Sequence, residues 1–251
     1  MQSIGRALQM LEVIADAGGQ MSLSELASVT GMPVPTIHRI LRTLVDCGYV
    51  RQLPNRRYAL DARLIPLGEA ASAMLGQWAR PVLAELVEAL GETANLAVFD
   101  GDLVMYTCQV PSKHSMRMFT EVGRRVFAHS TGAGKALLSQ LSDEEVRNLV
   151  GRTGLPAETP NTITDVDVLS AQLQTIREQG YAMDEGEQEV GVRCVAVPVQ
   201  GAATRLSVSV SGPEPRMTPE LVERALPMLE RASKVLTGAF PDHRQAAGSR
   251  R

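Results

Sequence analysis

Two short helical patterns separated by a glycine-proline turn near the N terminus constrain the fold of this chain most. Ser22-Leu23-Ser24-Glu25 matches a capping box, which predicts that a helix begins there. Gly31-Met32-Pro33 then predicts a tight turn, and a further helix is predicted over residues 35–47. Two helices joined by so short a turn are typical of a helix-turn-helix unit.

One helix before this unit and one hairpin after it extend the pattern. The first segment begins at Ser3 and ends at Gly18-Gly19, and its spacing predicts one buried stripe: Ile4, Ala7, Leu8, Leu11, Ile14 and Ala15. Residues 49–53 and 57–60 alternate as strands do, with Pro54-Asn55 as the turn between them. Three helices and a hairpin within residues 1–63 predict a winged helix-turn-helix.

The helix at residues 35–47 carries candidate DNA-reading side chains. A helix in the major groove needs short polar or basic side chains opposite its packing stripe, and Arg39 and Arg42 lie there. Thr36 lies at the exposed N-terminal end of the helix and His38 on its flank, within reach of a phosphate. The hairpin tip adds basic side chains for the DNA backbone or minor groove. The candidate DNA-binding residues are Arg6, Thr36, His38, Arg39, Arg42, Arg56 and Arg57.

Charge and composition agree with contact between the N-terminal segment and nucleic acid. Residues 1–63 carry a net charge of +2, whereas residues 64–251 carry −5. The longest charge-free stretch is 13 residues long, whereas a membrane-spanning helix needs about 20. The chain starts without an apolar leader, and its three cysteines are too few for a disulfide framework. We therefore expect a cytoplasmic protein that has no contact with a membrane.

The rest of the chain predicts a second domain of mixed character. We expect a linker helix over residues 64–79 and a separate helix over 81–90. Strands are predicted at 93–99, 103–109, 116–120, 194–199 and 206–211, and helices at 134–141, 143–150, 166–179 and 219–236. The order shows no regular βαβ rhythm, which favours an α+β fold with an antiparallel sheet. The predicted boundaries are 1–63 (DNA-binding domain), 64–79 (linker helix), 80–240 (second domain) and 241–251 (polar tail).

The motifs for enzyme chemistry are incomplete. The segment 131–136 lacks both the first glycine and the serine or threonine of a phosphate-binding loop, and 128–132 lacks the first glycine of a nucleophile elbow. A zinc site would require Cys108, Cys194 or His129 to meet in space. The acidic run from Asp184 to Glu189 is more typical of a solvated loop than of a catalytic pair. We therefore expect no catalytic residue, metal or cofactor.

A binding function remains for the second domain. Gly132 and Ala133 lie at the predicted start of a helix, where backbone N–H groups attract a small anion. Ser209 and Ser211 alternate on one face of a predicted strand, and their hydroxyl groups could complete a polar pocket in an apolar domain.

Several motifs, in order, resemble those of the IclR family of bacterial transcriptional regulators. They are Ser3-Ile4-Gly5-Arg6-Ala7-Leu8, Leu23-Ser24-Glu25-Leu26-Ala27, Pro35-Thr36-Ile37-His38-Arg39-Ile40-Leu41, the segment from His129 to Leu138, Thr159-Pro160-Asn161-Thr162-Ile163-Thr164, Gly180-Tyr181-Ala182-Met183-Asp184, and the segment from Gly191 to Pro198. The resemblance covers nearly the whole chain. It implies a winged helix-turn-helix joined by a linker helix to a GAF-like effector domain, in a homodimer or a dimer of dimers.

The resemblance also implies a regulator, expected to be a repressor, that binds a double-stranded DNA operator and a small effector. The implied effector-binding positions are Met118, Val126, Gly132, Ala133, Asp184, Val192, Cys194, Ser209 and Ser211. They suit a small carboxylate such as glyoxylate or pyruvate. The alternatives are a sensor of aromatic acids or other ligands, a C-terminal domain that only oligomerises, and an enzyme or metal-dependent sensor.

Overall fold

The computed structural model describes residues 2–115, 122–202 and 204–239. The strand predicted at 116–120, the candidate Met118 and the tail 241–251 lie outside the described residues. The chain divides into two units, Met1–Ser72 and Ala73–Arg251. No helix within the described ranges is long and apolar enough to cross a membrane.

The N-terminal unit is a winged helix-turn-helix, as predicted. Its helices are α1 (Gln2–Asp16), α2 (Leu23–Thr30) and α3 (Val34–Asp46), and its strands are β1 (Gln20–Met21), β2 (Val50–Gln52) and β3 (Tyr58–Leu60). The strands form an antiparallel sheet in the order β1-β3-β2. The sequence did not predict β1, because two residues are too short to show an alternating pattern.

The turn between α2 and α3 follows from its capping residues. The Ser22 hydroxyl accepts the N–H of Glu25, and the Glu25 carboxylate accepts the N–H of Ser22, so the predicted capping box is present. Gly31 ends α2 in the left-handed region, with φ of 64°, and its N–H donates to the Ala27 carbonyl. Pro35 lies in the first turn of α3, where its missing N–H costs no hydrogen bond.

The buried stripe predicted for α1 is wrong at Ile4, Leu8 and Ala15, which are exposed. Ile4 is 71% exposed and Leu8 is 53% exposed, whereas Met10 and Ile14 are fully buried. Apart from Ala7, the side chains that pack in the core belong to the second half of α1, so most of its first two turns extends beyond that core. Helical periodicity locates an apolar face, but it does not show where the neighbouring elements stop.

The predicted break between a linker helix and a second helix is also absent. After a short 3-10 helix (Ala62–Leu64), α4 runs unbroken over Ile65–Leu90 with Pro81 inside it. Pro66 lies in the first turn, where no intrahelical hydrogen bond is lost. An interior proline costs about 3 kcal/mol, and the burial of the following apolar residues, Leu83, Leu86, Val87 and Leu90, offsets that cost.

The second unit is built on a six-stranded antiparallel sheet in the order β6-β5-β4-β9-β8-β7. The strands are β4 (Thr93–Asp100), β5 (Leu103–Val110), β6 (Arg125–Val126), β7 (Ala182–Glu185), β8 (Val192–Val199) and β9 (Leu206–Pro213). The further helices are α5 (Gly132–Leu138), α6 (Asp143–Thr153), α7 (Val166–Gln179) and α8 (Pro219–Ala239). The predicted α+β class with an antiparallel sheet is confirmed, although β6 and β7 were not predicted.

The two faces of this sheet pack against different helices. One face buries Leu96, Val195 and Val208 in a core with apolar residues of α4 and α8. The other, here called the inner face, packs Ala97, Tyr106 and Ala196 with residues of α5, α6 and α7. A bulge between Leu96 and Ala97 shifts the register of β4 and β5.

Candidate functional site

Helix α3 presents the predicted DNA-reading residues to solvent. His38, Arg39 and Arg42 are exposed and Thr36 is half-buried, whereas Ile37 and the other apolar residues of the helix pack in the core. None of the ion pairs between described residues involves Arg39 or Arg42. Both guanidinium groups therefore keep their donors for an external acceptor.

The wing, which is the hairpin of β2 and β3, carries two arginines whose surroundings differ. Arg56 is exposed at the tip and has φ of 62°, the one left-handed φ outside glycine among the described residues. The turn is closed by the Arg56 N–H on the Leu53 carbonyl and by the Asn55 side chain, which accepts the N–H of Arg57. The Arg57 guanidinium instead pairs with Glu25 at 2.9 Å and donates to the Gln20 carbonyl. Arg57 thus ties the wing to α2.

Arg6 is exposed on the first turns of α1, where the apolar side chains Ile4 and Leu8 are exposed as well. This part of α1 offers both a cation and an apolar surface to a partner.

In the second unit, the sheet register brings most of the predicted effector residues onto the inner face. Asp184 on β7 is opposite Cys194 on β8, which is opposite Ser211 on β9. The next row places Ala196 beside Ser209. All five residues are buried. Residues far apart in sequence therefore form one patch, because antiparallel neighbours at equal register lie about 5 Å apart.

Helix α5 lies against this patch because its first residues are small. The Thr131 hydroxyl caps the helix by accepting the N–H of Gly134. A Cβ on Gly132 would lie 3.1 Å from the Cys194 sulfur, and a Cβ on Gly134 would lie 2.3 Å from the carbonyl oxygen of Ala128. The N–H of Ala133 is directed at the Cys194 sulfur. The structure thus brings Gly132, Ala133 and Cys194 together.

Asp184 is the ionisable group of this patch, and the expected solvated acidic loop is wrong at this position. Asp184 is 3% exposed and Glu187 is 5% exposed, so only part of the run faces water. Burial raises the pKa of Asp184 to about 7, the charge of Glu187 adds to the increase, and the Glu187 N–H and Lys135 oppose it. That N–H donates to Asp184 Oδ1 at 2.7 Å.

Two further predicted effector residues, Val126 and Val192, lie on strands of the same sheet. Val126 on β6 belongs to the apolar cluster that contains Ala133 and Tyr106. Val192 lies on the same side of β8 as Cys194, two residues before it, and is half-buried. The structure does not describe Met118.

The sequence analysis missed three polar residues on the inner face. Tyr106 is buried, and burial together with Cys194 and Asp184 raises the pKa of its hydroxyl, which is hydrogen-bonded to Thr131. The Asn95 side chain donates to the Ser211 hydroxyl at 3.2 Å and accepts from Gln109 Nε2 at 3.0 Å. Position on a strand was the only available signal, since isolated Tyr, Asn and Gln residues form no motif.

The side chains of the patch are suited to hydrogen bonding rather than to nucleophilic attack. Burial raises the pKa of the Cys194 thiol to about 12, which disfavours the nucleophilic thiolate. Cys108 instead donates to the Gly76 carbonyl, and the His129 ring contacts the Pro156 carbonyl. Among the described residues, no three His, Cys, Asp or Glu side chains are grouped to hold a metal ion.

Comparison with known proteins identifies the same two units. The model for the IclR helix-turn-helix domain matches residues 3–54, and the model for the bacterial transcriptional regulator IclR C-terminal domain matches residues 70–237. The transcriptional repressor IclR of Escherichia coli K12 is 36% identical over 246 residues, which cover 95% of this chain and 90% of that protein. The acetate operon repressor of Salmonella typhimurium is 37% identical over the same shares of both chains.

The fold agrees with solved structures of such regulators. The crystal structure of Thermotoga maritima IclR matches with a TM-score of 0.64 and 29% identity, and the match covers 95% of this chain and 98% of that one. From both family matches and these relatives, the chain belongs to the IclR family of bacterial transcriptional regulators and is a DNA-binding transcriptional regulator.

Proposed function

We propose that this protein is a repressor that holds an operator through its winged helix-turn-helix and releases it when a small carboxylate binds the second unit. The curated relatives named above are repressors, which supports this direction of control. The observation that carries the effector site is Ser209, which is 1% exposed and whose Oγ has no hydrogen-bond partner among the described residues. The Cys194 sulfur, a weak acceptor, lies beside it.

DNA reading rests on α3. Thr36, Arg39 and Arg42 reach base edges in the major groove, while His38, Arg56 and Arg6 contact phosphates. Arg57 supports the wing through Glu25 and reaches DNA only if it leaves that pair.

The protein acts as a homodimer that pairs into a dimer of dimers. Apolar side chains are exposed along α1 and the first half of α4, and a second copy would remove them from water: Ile4, Leu8, Ile65, Leu67, Met74 and Trp78. A two-fold dimer presents two α3 helices to half-sites about one helical turn apart, or a multiple of it.

The effector occupies the patch between α5 and the inner face of the sheet. Its carboxylate accepts hydrogen bonds from the N–H of Gly132 and the hydroxyl of Ser209, with Val126, Val192 and Met118 as the apolar wall. Burying an unpaired hydroxyl costs about 1–3 kcal/mol, and a ligand oxygen would remove that cost. The effector can then lower the affinity for the operator only by as much as its own affinity differs between the DNA-binding state and the DNA-releasing state of the protein.

The test begins by selecting an operator from random duplex DNA and measuring its affinity by fluorescence anisotropy. Glyoxylate, pyruvate and 4-hydroxybenzoate are then titrated, with Ser209→Ala and Ser207→Ala as matched variants. Ser207 lies on the same strand face, but its hydroxyl already donates to the Ala133 carbonyl at 2.9 Å. We expect the small acids to release DNA and Ser209→Ala to weaken that release about fivefold to tenfold without changing affinity for the operator.

Two results would change the proposal. Release by 4-hydroxybenzoate alone would favour the aromatic-acid alternative. Unchanged operator affinity with every acid, together with no heat of binding, would favour a second unit that only oligomerises.

A further inference from the structure

A row of polar side chains continues from the effector patch across the inner face of the sheet. Ser209 on β9 is opposite Asn95 on β4, which is opposite Gln109 on β5. Ser211 lies two residues from Ser209 on the same strand face and accepts a hydrogen bond from the Asn95 side chain. Ser209, Ser211 and Asn95 are all at least 94% buried.

Hydrogen bonds between the described residues leave several donors of this row without an acceptor. Asn95 Nδ2 has two N–H groups, and the described residues provide one acceptor for them, the Ser211 oxygen. Ser211 accepts that bond, and its own O–H finds no acceptor among the described residues. Ser209 Oγ has no nitrogen or oxygen partner in the same part of the chain, and the Cys194 sulfur beside it is a weak acceptor. One N–H of Asn95 and the O–H of Ser211, on neighbouring strands, are therefore available to an oxygen of a bound molecule.

The row is separated from the other end of the effector patch. Gly132 and Ala133 lie over Cys194 on β8, whereas Asn95 is on β4, two strands away. Adjacent strands are about 4.8 Å apart, so the backbones of β8 and β4 are separated by about 10 Å. A carboxylate that accepts from Gly132 therefore cannot also accept from Asn95.

We propose that Asn95, positioned by Gln109, is a specificity-determining residue of the effector site, and that the effector is a short acid with a hydroxyl or oxo oxygen on the carbon farthest from its carboxylate. This inference rests on the effector site proposed above. Asn95 and Ser211 bind the distal oxygen, and Gln109 holds the Asn95 amide in the orientation that points an N–H at it. An acid with a methyl group there would leave the donors unpaired.

The experiment uses pairs of acids that differ by one distal hydroxyl group. Pyruvate is compared with 3-hydroxypyruvate, and butyrate with 4-hydroxybutyrate, by calorimetric titration of the full chain at pH 6.5. We expect the hydroxylated member of at least one pair to bind about tenfold more tightly, which corresponds to about 1.4 kcal/mol. Equal or tighter binding of the methyl member in both pairs overturns the inference and leaves the proposed carboxylate site standing.

Variants show whether Asn95 provides the preference. Asn95→Leu keeps the branched shape and the number of heavy atoms and removes the amide, so the preference for the hydroxylated acid should vanish while the methyl acid binds as before. Gln109→Leu, at a half-buried position, should reduce the preference about threefold, because Asn95 remains but is less well oriented. Thr107→Val, which removes a buried hydroxyl bonded to the Leu96 carbonyl, is the control and should change neither affinity.

The outcomes separate the two proposals. A preference that survives in both Asn95→Leu and Gln109→Leu overturns the role of Asn95. If Asn95→Leu does not fold, the result with Gln109→Leu decides. Absence of heat with all four acids contradicts the proposed carboxylate site, and this inference fails with it.

Discussion

The ammonium group of Lys135 is ion-paired with the carboxylate of Glu187 in the interior of the second unit, where the two side chains are 0% and 6% exposed. Glu187 also donates its N–H to Asp184, and its carbonyl accepts from the Thr162 hydroxyl at 2.6 Å. The pair therefore fastens the loop after β7 to α5, and with it the carboxyl group of Asp184.

Removing one member of this buried ion pair should destabilise the folded protein. Lys135→Met leaves a buried carboxylate without its partner, and we expect the free energy of unfolding to fall by about 3–5 kcal/mol. Adding Glu187→Met removes the stranded charge and should restore most of the loss. Urea denaturation measures both variants. Arg147→Ala, which breaks the exposed pair with Asp167, is the control and should cost less than about 1 kcal/mol. A double variant no more stable than Lys135→Met would contradict this account.

Substitutions on α3 and at the tip of the wing should distinguish residues that read bases from residues that contact phosphates. Arg39→Ala and Arg42→Ala should each weaken binding to the selected operator by about 1–3 kcal/mol and relax the sequence preference. Arg56→Ala should weaken binding to all duplexes alike and flatten the dependence of affinity on salt. Anisotropy titrations at several salt concentrations distinguish the two effects, and unchanged operator affinity in the Arg39/Arg42 double variant would refute the assignment.

The left-handed backbone at Arg56 predicts a trade between stability and DNA binding. A residue other than glycine pays about 1–2 kcal/mol for this conformation, so Arg56→Gly should increase the free energy of unfolding by about 1 kcal/mol. It should also weaken DNA binding as much as Arg56→Ala does, because both remove the guanidinium group. Thermal melting and DNA titration of both variants test this. Equal stability of the Gly and Ala variants would show that the turn is not strained.

The raised pKa of Asp184 predicts that effector binding depends on pH. Ionised Asp184 repels a bound carboxylate, so affinity should fall as pH rises above about 7, approaching tenfold per unit for one linked proton. Cys194 and Tyr106 have raised pKa values and stay neutral between pH 6 and 9. Asp184→Asn should remove this dependence. Calorimetric titration with 3-hydroxypyruvate at several pH values is the measurement, and identical slopes for wild type and variant would exclude Asp184 as the cause.

The raised pKa of Asp184 should also make the free energy of unfolding depend on pH when no effector is present. The folded chain binds the Asp184 proton more tightly than the unfolded chain does, because the pKa is raised from 3.8 to about 7. This group's stabilising contribution is therefore complete at low pH and is lost as pH rises through that interval. Asp184→Asn should lack this loss, so the difference in unfolding free energy between variant and wild type should grow from pH 4 to pH 7.

The sequence was sufficient where local signals and tertiary structure agree. The capping box at Ser22 and the left-handed Gly31 fix the helix-turn-helix from within the segment itself, and the long apolar strands β8 and β9 were recognisable from their composition. The strands β1, β6 and β7 were missed because they are two to four residues long and exist through their partners.

The parts of the proposed effector site that were missed depend on packing. From the sequence alone, Glu187 is expected to be a solvated acid, because the sequence does not show that it is paired with Lys135 of α5. Asn95 has no distinguishing signal in the sequence, because only the strand register shows that it lies opposite Ser209. Pro81 likewise reads as a helix boundary, because the sequence does not show how much apolar surface the rest of α4 buries.

The edges of the six-stranded sheet limit how this chain can aggregate or assemble. One edge is β6, two residues long, where Arg125 pairs with Asp100; the other is β7, where Glu185 is exposed and pairs with Arg193. Short edge strands with charged side chains discourage the addition of another strand, which is the route to fibrils and to strand exchange. Among the described elements, helical surfaces are therefore better suited than sheet edges for self-association.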